Sequence, residues 1–405
     1  MSDAPVGSSE RDVSRGVSWN ALAFAVIGAA GLVMNLAIAR HYPPSALGVF
    51  NTILAIFIVC GQVGALGVQH SVLYHSPIVH ARGASTAPLL RAALGISAIA
   101  SGTLVALLLV ARGEVARLLA SPESGSALLL ALPGIWLFPL NKVLLAYLNG
   151  VGRVRAYAIG NLSRYVLIVG WIGMCIAADL PSAWLCAALS FAEVALVLGL
   201  SLAALTSHGG ATSETEGWPG RHLHFGARAL PAGVVSELNS RIDVLVLGVM
   251  VDVSAVGIYS MASIFAEGLY QMVMVLRFSF DPTIAVLIHR SRWDELRALV
   301  RRGFRLGYGS AAVVGIVSMI VYPMLLTVVL GKPDFDQSWP VYIALAAGIM
   351  LAAGFIPVSG LLQQAGKPTA QSLLYLLVAV TNFIGSVLLI DTFGVIGAAV
   401  ATALA

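Results

Sequence analysis

The chain has 405 residues, 59% of them hydrophobic and 10% charged, with a formal net charge of +4. Soluble domains carry roughly 45–50% apolar and about 25% charged residues, so a water-soluble globule is excluded and most of this chain must lie in lipid. The positive excess is too small for a nucleic-acid footprint, and no nucleic-acid partner is expected.

The stretch Met1–Gly16 is polar and mixed in charge, without a signal-peptide pattern. A membrane-crossing helix needs about 20 apolar residues. Runs of that size occur at 17–39, 46–74, 88–111, 126–149, 156–178 and 182–205, and again at 226–250, 254–287, 304–330, 338–363 and 369–390. A twelfth run begins at Gly394 and reaches Ala405, so the twelfth helix is read as incomplete. Turn chemistry separates the runs at Tyr42-Pro43-Pro44, Leu180-Pro181-Ser182 and Gly331-Lys332-Pro333. Cys60, Cys175 and Cys186 lie inside apolar runs and read as small core residues.

Basic residues orient the chain. With the amino terminus inside, the inner segments hold fifteen Lys and Arg, among them Arg82, Arg153, Arg221 and Lys367, against four outside: Arg40, Arg112, Arg117 and Lys332. Within the inner stretch His289–Arg305, Trp293, Leu296, Val300 and Phe304 share one helical face. That stretch is either a topology-fixing basic loop or an interfacial helix on the inner leaflet.

Ser45-Ala-Leu-Gly-Val-Phe50 returns 209 residues later as Ser254-Ala-Val-Gly-Ile-Tyr259, each copy opening the second helix of its half. Phe138-Pro139-Leu140 is echoed by Ile356-Pro357-Val358, and Asn149-Gly150-Val151-Gly152-Arg153 by Gln364-Ala365-Gly366-Lys367. Six helices lie between the copies, so both halves point the same way. The expected fold is an all-α polytopic membrane protein with two six-helix lobes, related by a pseudo-two-fold axis along the membrane normal. The lobes are 1–206 and 226–405, joined by a cytoplasmic linker at 207–225.

Duplicated lobes of one orientation suit a transporter with its site between them. Ionisable residues inside spans are costly and point to such a site. Arg241, Lys142, Arg164 and Arg277 are the candidate substrate ligands: the guanidinium fork of Arg241 suits phosphate, and the other three either extend the positive lining toward the cytoplasm or snorkel to the inner headgroups. Glu193, Glu237, Asp243 and Glu267 are candidates for a coupling cation or proton, or for charge balance. Glu237 and Arg241 stand four apart: either they neutralise each other along the helix, or Arg241 meets an anion in a water-filled cavity. Asp281 stands four from Arg277 and pairs with it on the same logic. No catalytic set and no metal motif is seen, so no enzyme and no cofactor is expected.

The chain resembles the polysaccharide transporters, the lipid-linked oligosaccharide flippases of the multidrug/oligosaccharidyl-lipid/polysaccharide exporter superfamily. The resemblance lies in Ala39–Phe50, in Arg241-Ile-Asp-Val-Leu-Val-Leu-Gly248, in Val256-Gly-Ile-Tyr-Ser-Met-Ala262 and in Gly394–Thr402. It implies two lobes about a cationic cavity. It also implies transfer of an undecaprenyl-pyrophosphate-linked oligosaccharide between leaflets of a bacterial inner membrane, for cell-surface polysaccharide synthesis. The alternatives are a multidrug exporter of the same superfamily, or a polymerase or acyltransferase of the pathway, for which the short loops leave little room.

Overall fold

The structure, a computed structural model, describes residues 28–118, 122–206 and 217–405, and every regular element there is helical. The first eleven residues of the expected first span, and His208, Glu214 and Glu216 of the linker, lie outside the described residues. Eight described helices are long and apolar enough to cross a membrane, or nine if one bent pair is a single span. The protein is a multi-pass membrane protein.

Helix α1 covers 28–41. Helices α2 (Pro44–Gly64) and α3 (Val68–Ala81) follow where one unbroken span was expected. The break is at Leu66 and Gly67, both left-handed, with φ of 48° and 69°. Gly67 takes that conformation without a Cβ penalty. A Cβ there would fall 2.5 Å from the carbonyl oxygen of Gly226, so the turn is also where another backbone presses in.

Next come α4 (Ala87–Leu118), α5 (Pro122–Gly150), α6 (Val154–Ala177) and α7 (Ala187–Leu205). Helix α5 runs unbroken through Pro133 and Pro139. Helix α8 (Trp218–Met250) is long, about 50 Å at 1.5 Å per residue. It falls outside the eight because Glu237, Arg241 and Asp243 interrupt its apolar half.

Helix α9 is Val253–His289, capped by the Asp252 carboxylate accepting from the Ala255 amide at 3.0 Å. Helix α10 (Trp293–Leu325) starts within the basic stretch, which corrects the expectation of a loop or a separate surface helix there. It is neither a loop nor a separate surface helix, but the first turns of a spanning helix. Its Leu296, Leu299 and Val300 pack on Ile284 and Leu287 of α9 rather than on lipid.

The tenth span is bent by 53° between α11 (Ser338–Ala352) and the turn at Ile356–Val358 with α12 (Leu361–Gln364). Pro357 sits in that turn, whereas its sequence echo Pro139 lies inside straight helix. Helix α13 (Pro368–Leu404) is two limbs joined at Gly394, whose φ of 57° and ψ of −135° reverse the chain.

The described chain forms two compact units. One holds 28–34, 57–112 and 128–233; the other holds 35–56, 113–127 and 234–405. In the first, Val72, Leu89, Val143, Tyr147, Leu196 and Leu200 build a core beneath Trp218. In the second, Tyr322 and Tyr342 stack at 4.4 Å, and Val273, Ala311, Ala353 and Ile356 form a separate apolar cluster. Large apolar side chains such as Val110, 87% exposed, cover the outside, as a lipid-facing surface requires.

His222, ahead of the apolar run of α8, is fully buried in the first unit. Its Nε2 lies 3.1 Å from the Leu89 carbonyl, which can only accept, so Nε2 carries the proton. Nδ1 is left to accept from the Ser71 hydroxyl at 2.9 Å. His75 faces it at 6.4 Å between ring centres, and Arg221 lies over the Trp218 ring. Burial pushes the His222 pKa below its ordinary 6.5; the Leu89 hydrogen bond opposes this and nearby His75 adds to it. The fold thus favours neutral His222: its contribution is present above pH 6.5 and lost as pH falls through the depressed value. Thermal unfolding in detergent should therefore show a loss of Tm in mildly acidic buffer that His222→Gln reduces. An equal acid loss in that variant would assign the effect to other groups.

Candidate functional site

In the second unit the polar centre is Asp243 on α8. The Tyr259 hydroxyl of α9 donates to its Oδ2 at 2.8 Å, and the Asn382 amide of α13 donates to its Oδ1 at 2.8 Å. The Thr402 hydroxyl, on the other limb of α13, reaches Asn382 Oδ1 at 3.4 Å and the Ala398 carbonyl at 3.0 Å. Ser386 donates to the same Asn382 oxygen at 3.3 Å. The reversal at Gly394 brings Asn382 and Thr402 together although twenty residues separate them. The result is one carboxylate among neutral oxygens, a set that suits a proton or a hard cation.

Arg241 is two residues away on the same helix. It enters no ion pair among the described residues, and its Nε is buried without a hydrogen-bond partner. The intrahelical pairing with Glu237 is therefore absent. Leaving a guanidinium N–H unsatisfied costs free energy that an incoming anion would recover.

Arg277 of α9 does pair with Asp281, at 3.4 Å, and donates to the Tyr375 hydroxyl at 3.2 Å. Gly360 leaves room for this group: a Cβ there would fall 2.6 Å from Asp281 Oδ1 and 3.1 Å from Arg277 Nε. Glu267, also on α9, is exposed.

In the first unit the charges are tied together. Arg164 of α6 donates twice to Glu193 of α7, at 2.6 and 3.3 Å. The Asn141 amide adds a bond of 2.7 Å to the same carboxylate and one of 2.9 Å to the Glu193 carbonyl. The Phe138 ring meets two cations, with Arg164 Cζ 4.7 Å and Lys142 Nζ 5.1 Å from its centre. Lys142 donates to Gln62 at 2.5 Å. Thus the structure gathers Arg164, Glu193 and Lys142 in one unit, and Arg241, Asp243 and Arg277 in the other.

Tyr259, Asn382 and Thr402 are the site residues that sequence reasoning missed. Tyr259 was visible as the polar member of the Phe50/Tyr259 repeat, and an Asn and a Thr flanking a Gly inside an apolar run carry the other signal.

The sequence profile described as "Polysaccharide biosynthesis protein" matches residues 37–332. The chain belongs to the polysaccharide biosynthesis protein family. No curated protein matches the chain. Among solved structures, this polysaccharide biosynthesis protein is similar to an inward-facing multidrug resistance MATE family transporter of the MOP superfamily. The TM-score is 0.76 at 14% identity, covering 92% of this chain and 90% of that one. It is similar to the lipid II flippase MurJ in an inward closed conformation, also at 0.76 and 14%, covering 95% and 84%. A MOP superfamily transporter from Pyrococcus furiosus, reported with a binding pocket of reversed polarity, matches at 0.62 and 14%, covering 97% and 91%. At these identities the likeness is one of fold, that of a polytopic transporter.

Proposed function

We propose that this family member is a flippase of the bacterial inner membrane, with its amino terminus in the cytoplasm, that moves an undecaprenyl-pyrophosphate-linked oligosaccharide outward. The halves 1–206 and 226–405 act as lobes that alternate access, with 207–225 as their linker. Membership of a polysaccharide biosynthesis family supports the glycan, and likeness to a protein described as a lipid II flippase supports a lipid-linked carrier.

The observation that carries the reading is the unpaired guanidinium of Arg241, about 22 Å along its span from the inner end. Its planar fork donates to two oxygens of a pyrophosphate at once. Lys142 and Arg277, held by neutral groups or by one nearby acid, guide the anion inward from the cytoplasmic side. Arg164 stays on Glu193 and positions Phe138 under Lys142. Asp243, two residues from Arg241 on the same helix, binds the coupling proton or cation, and its occupancy changes the net charge of the helix segment that also holds the anion, which couples the two movements.

Arg241→Lys keeps the charge and loses the fork; Arg241→Ala loses both. Glycan at the outer face should fall in the order wild type, Lys, Ala, with Ala about tenfold or more below wild type, as loss of one charged hydrogen bond worth about 1.5–3 kcal/mol implies. Membrane levels of each variant are measured alongside. Normal transport by a well-expressed Glu237→Gln, Arg241→Gln double variant would make Arg241 structural. An exporter of cationic drugs would keep its activity in Arg241→Ala.

A further inference from the structure

The repeated strings meet each other. A Cβ on Gly48 of α2 would overlap the carbonyl oxygen of Val253 at the start of α9, and a Cβ on Gly257 of α9 would overlap the carbonyl oxygen of Pro44 at the start of α2. The same built atom on Gly257 would lie 3.1 Å from the Gly48 nitrogen. The 209-residue offset that turns Gly48 into Gly257 also turns Pro44 into Val253. Each contact is therefore the image of the other, which is the form of an isologous interface. The two helices cross backbone on backbone, which glycine alone allows.

Two further ties hold the same end. Arg40, at the end of α1, donates to the Val329 carbonyl at 2.9 Å, in the π-helical turn Leu326–Leu330 that ends α10. Lys332, just after it, donates to the Tyr42 carbonyl at 2.8 Å, just after α1. Both cations sit on carbonyls at helix carboxyl ends, where the helix dipole favours them. These ties join 35–56, from the amino-terminal half of the chain, to the carboxyl-terminal half within one compact unit. Their strength is graded: a glycine crossing without side chains to unlock, one exposed charge-to-carbonyl bond from Arg40 that water can replace, and one part-buried bond from Lys332.

We propose that this crossing is the outer gate: the Gly48–Gly257 contact with the Arg40 and Lys332 ties seals the external end, and it must part for substrate to leave. This rests on the alternating-access reading above and adds the residues that close one side. Release costs few bonds, the two cation-to-carbonyl ties among them, so the gate is suited to repeated opening.

The test uses full-length protein in cells, with Cys60→Ser, Cys175→Ala and Cys186→Ala as background. A reporter, Leu54→Cys, lies on α2 past the crossing. Labelling by an impermeant maleimide added outside should be slow in this background. It should rise severalfold in Gly48→Ala and in Gly257→Ala, since either methyl holds the backbones apart. The double change Arg40→Ala, Lys332→Ala removes only the two side-chain ties, so it folds if the glycine variants do not, and should raise labelling as well. In a second arm, Tyr42→Cys with Lys332→Cys is joined by a cleavable bis-thiosulfonate; glycan export should stop and return on reduction. Unchanged labelling in folded variants, or full export while cross-linked, overturns the gate. Labelling reports the gate whatever the cargo. Changed labelling without any glycan export would uphold the gate and remove the substrate reading instead.

Discussion

Replacing Glu193 by alanine should cost about 3–5 kcal/mol, because it strands the Arg164 guanidinium in a dry interior. The side chains of Arg164 and Glu193 are 10% and 1% exposed, so water cannot take over the lost partner. Asn141 would lose its acceptor at the same time. The expected result is a protein that extracts poorly from membranes and elutes as aggregate, with Arg164→Ala close behind. The pair Arg164→Met with Glu193→Leu removes both charges and keeps the volume, and should recover most of the lost Tm. The readout is thermal unfolding and size-exclusion profile in one detergent. A single Glu193→Ala variant as stable as wild type would show that the ion pair does not hold α6 to α7.

The second large effect is on transport. Asp243→Asn should abolish export, at least a hundredfold down, with Tm close to wild type. The amide keeps the size of the group and an oxygen for the Tyr259 hydroxyl, but it has no negative charge to balance a cation and no proton to take up or release. Tyr259→Phe should be milder. It removes one charged hydrogen bond of 2.8 Å, worth about 1.5 kcal/mol or more, and so shifts the concentration of coupling ion needed for half-maximal export by roughly tenfold. The measurement is export against sodium concentration and against pH. Wild-type export by Asp243→Asn would show that this carboxylate only balances charge.

Class and order of elements were legible because the hydrocarbon core sets a length that sequence must meet. Span limits at α9, α5 and α6 needed nothing but apolar runs and turn residues. Breaks within spans were harder to see. The reversal at Leu66–Gly67 depends on Gly226, more than 150 residues away, and no local pattern reveals such a partner. The basic opening of α10 looked like a loop because its charges outnumber its apolar residues, while Leu296 and Val300, which tie it to α9, are few. Charge in the spans was legible by residue type, but pairing was not. Glu237 and Arg241 have ideal spacing for each other, yet Arg241 is left without an ion pair. Arg164 and Glu193, 29 residues apart, are bound. Helical spacing gives proximity on one helix; packing between helices decides who meets whom.

The mirrored contact at Gly48 and Gly257 bears on the history of the chain. When two identical polypeptides meet across a two-fold axis, every position must serve on both sides, and no change can be made to one partner alone. Once the copies are joined in a single gene, that obligation ends. Glycine persists at both places where the backbones touch, since either copy would wedge the helices apart. Two residues further on the copies have parted: Phe50 is plain and fully buried, while Tyr259 carries the hydroxyl that reaches Asp243. A homodimeric ancestor would have needed that hydroxyl twice or not at all. Fusion allowed one half to set a hydroxyl against a buried carboxylate while the other kept an apolar face, so this asymmetry rests on a contact inherited from symmetry.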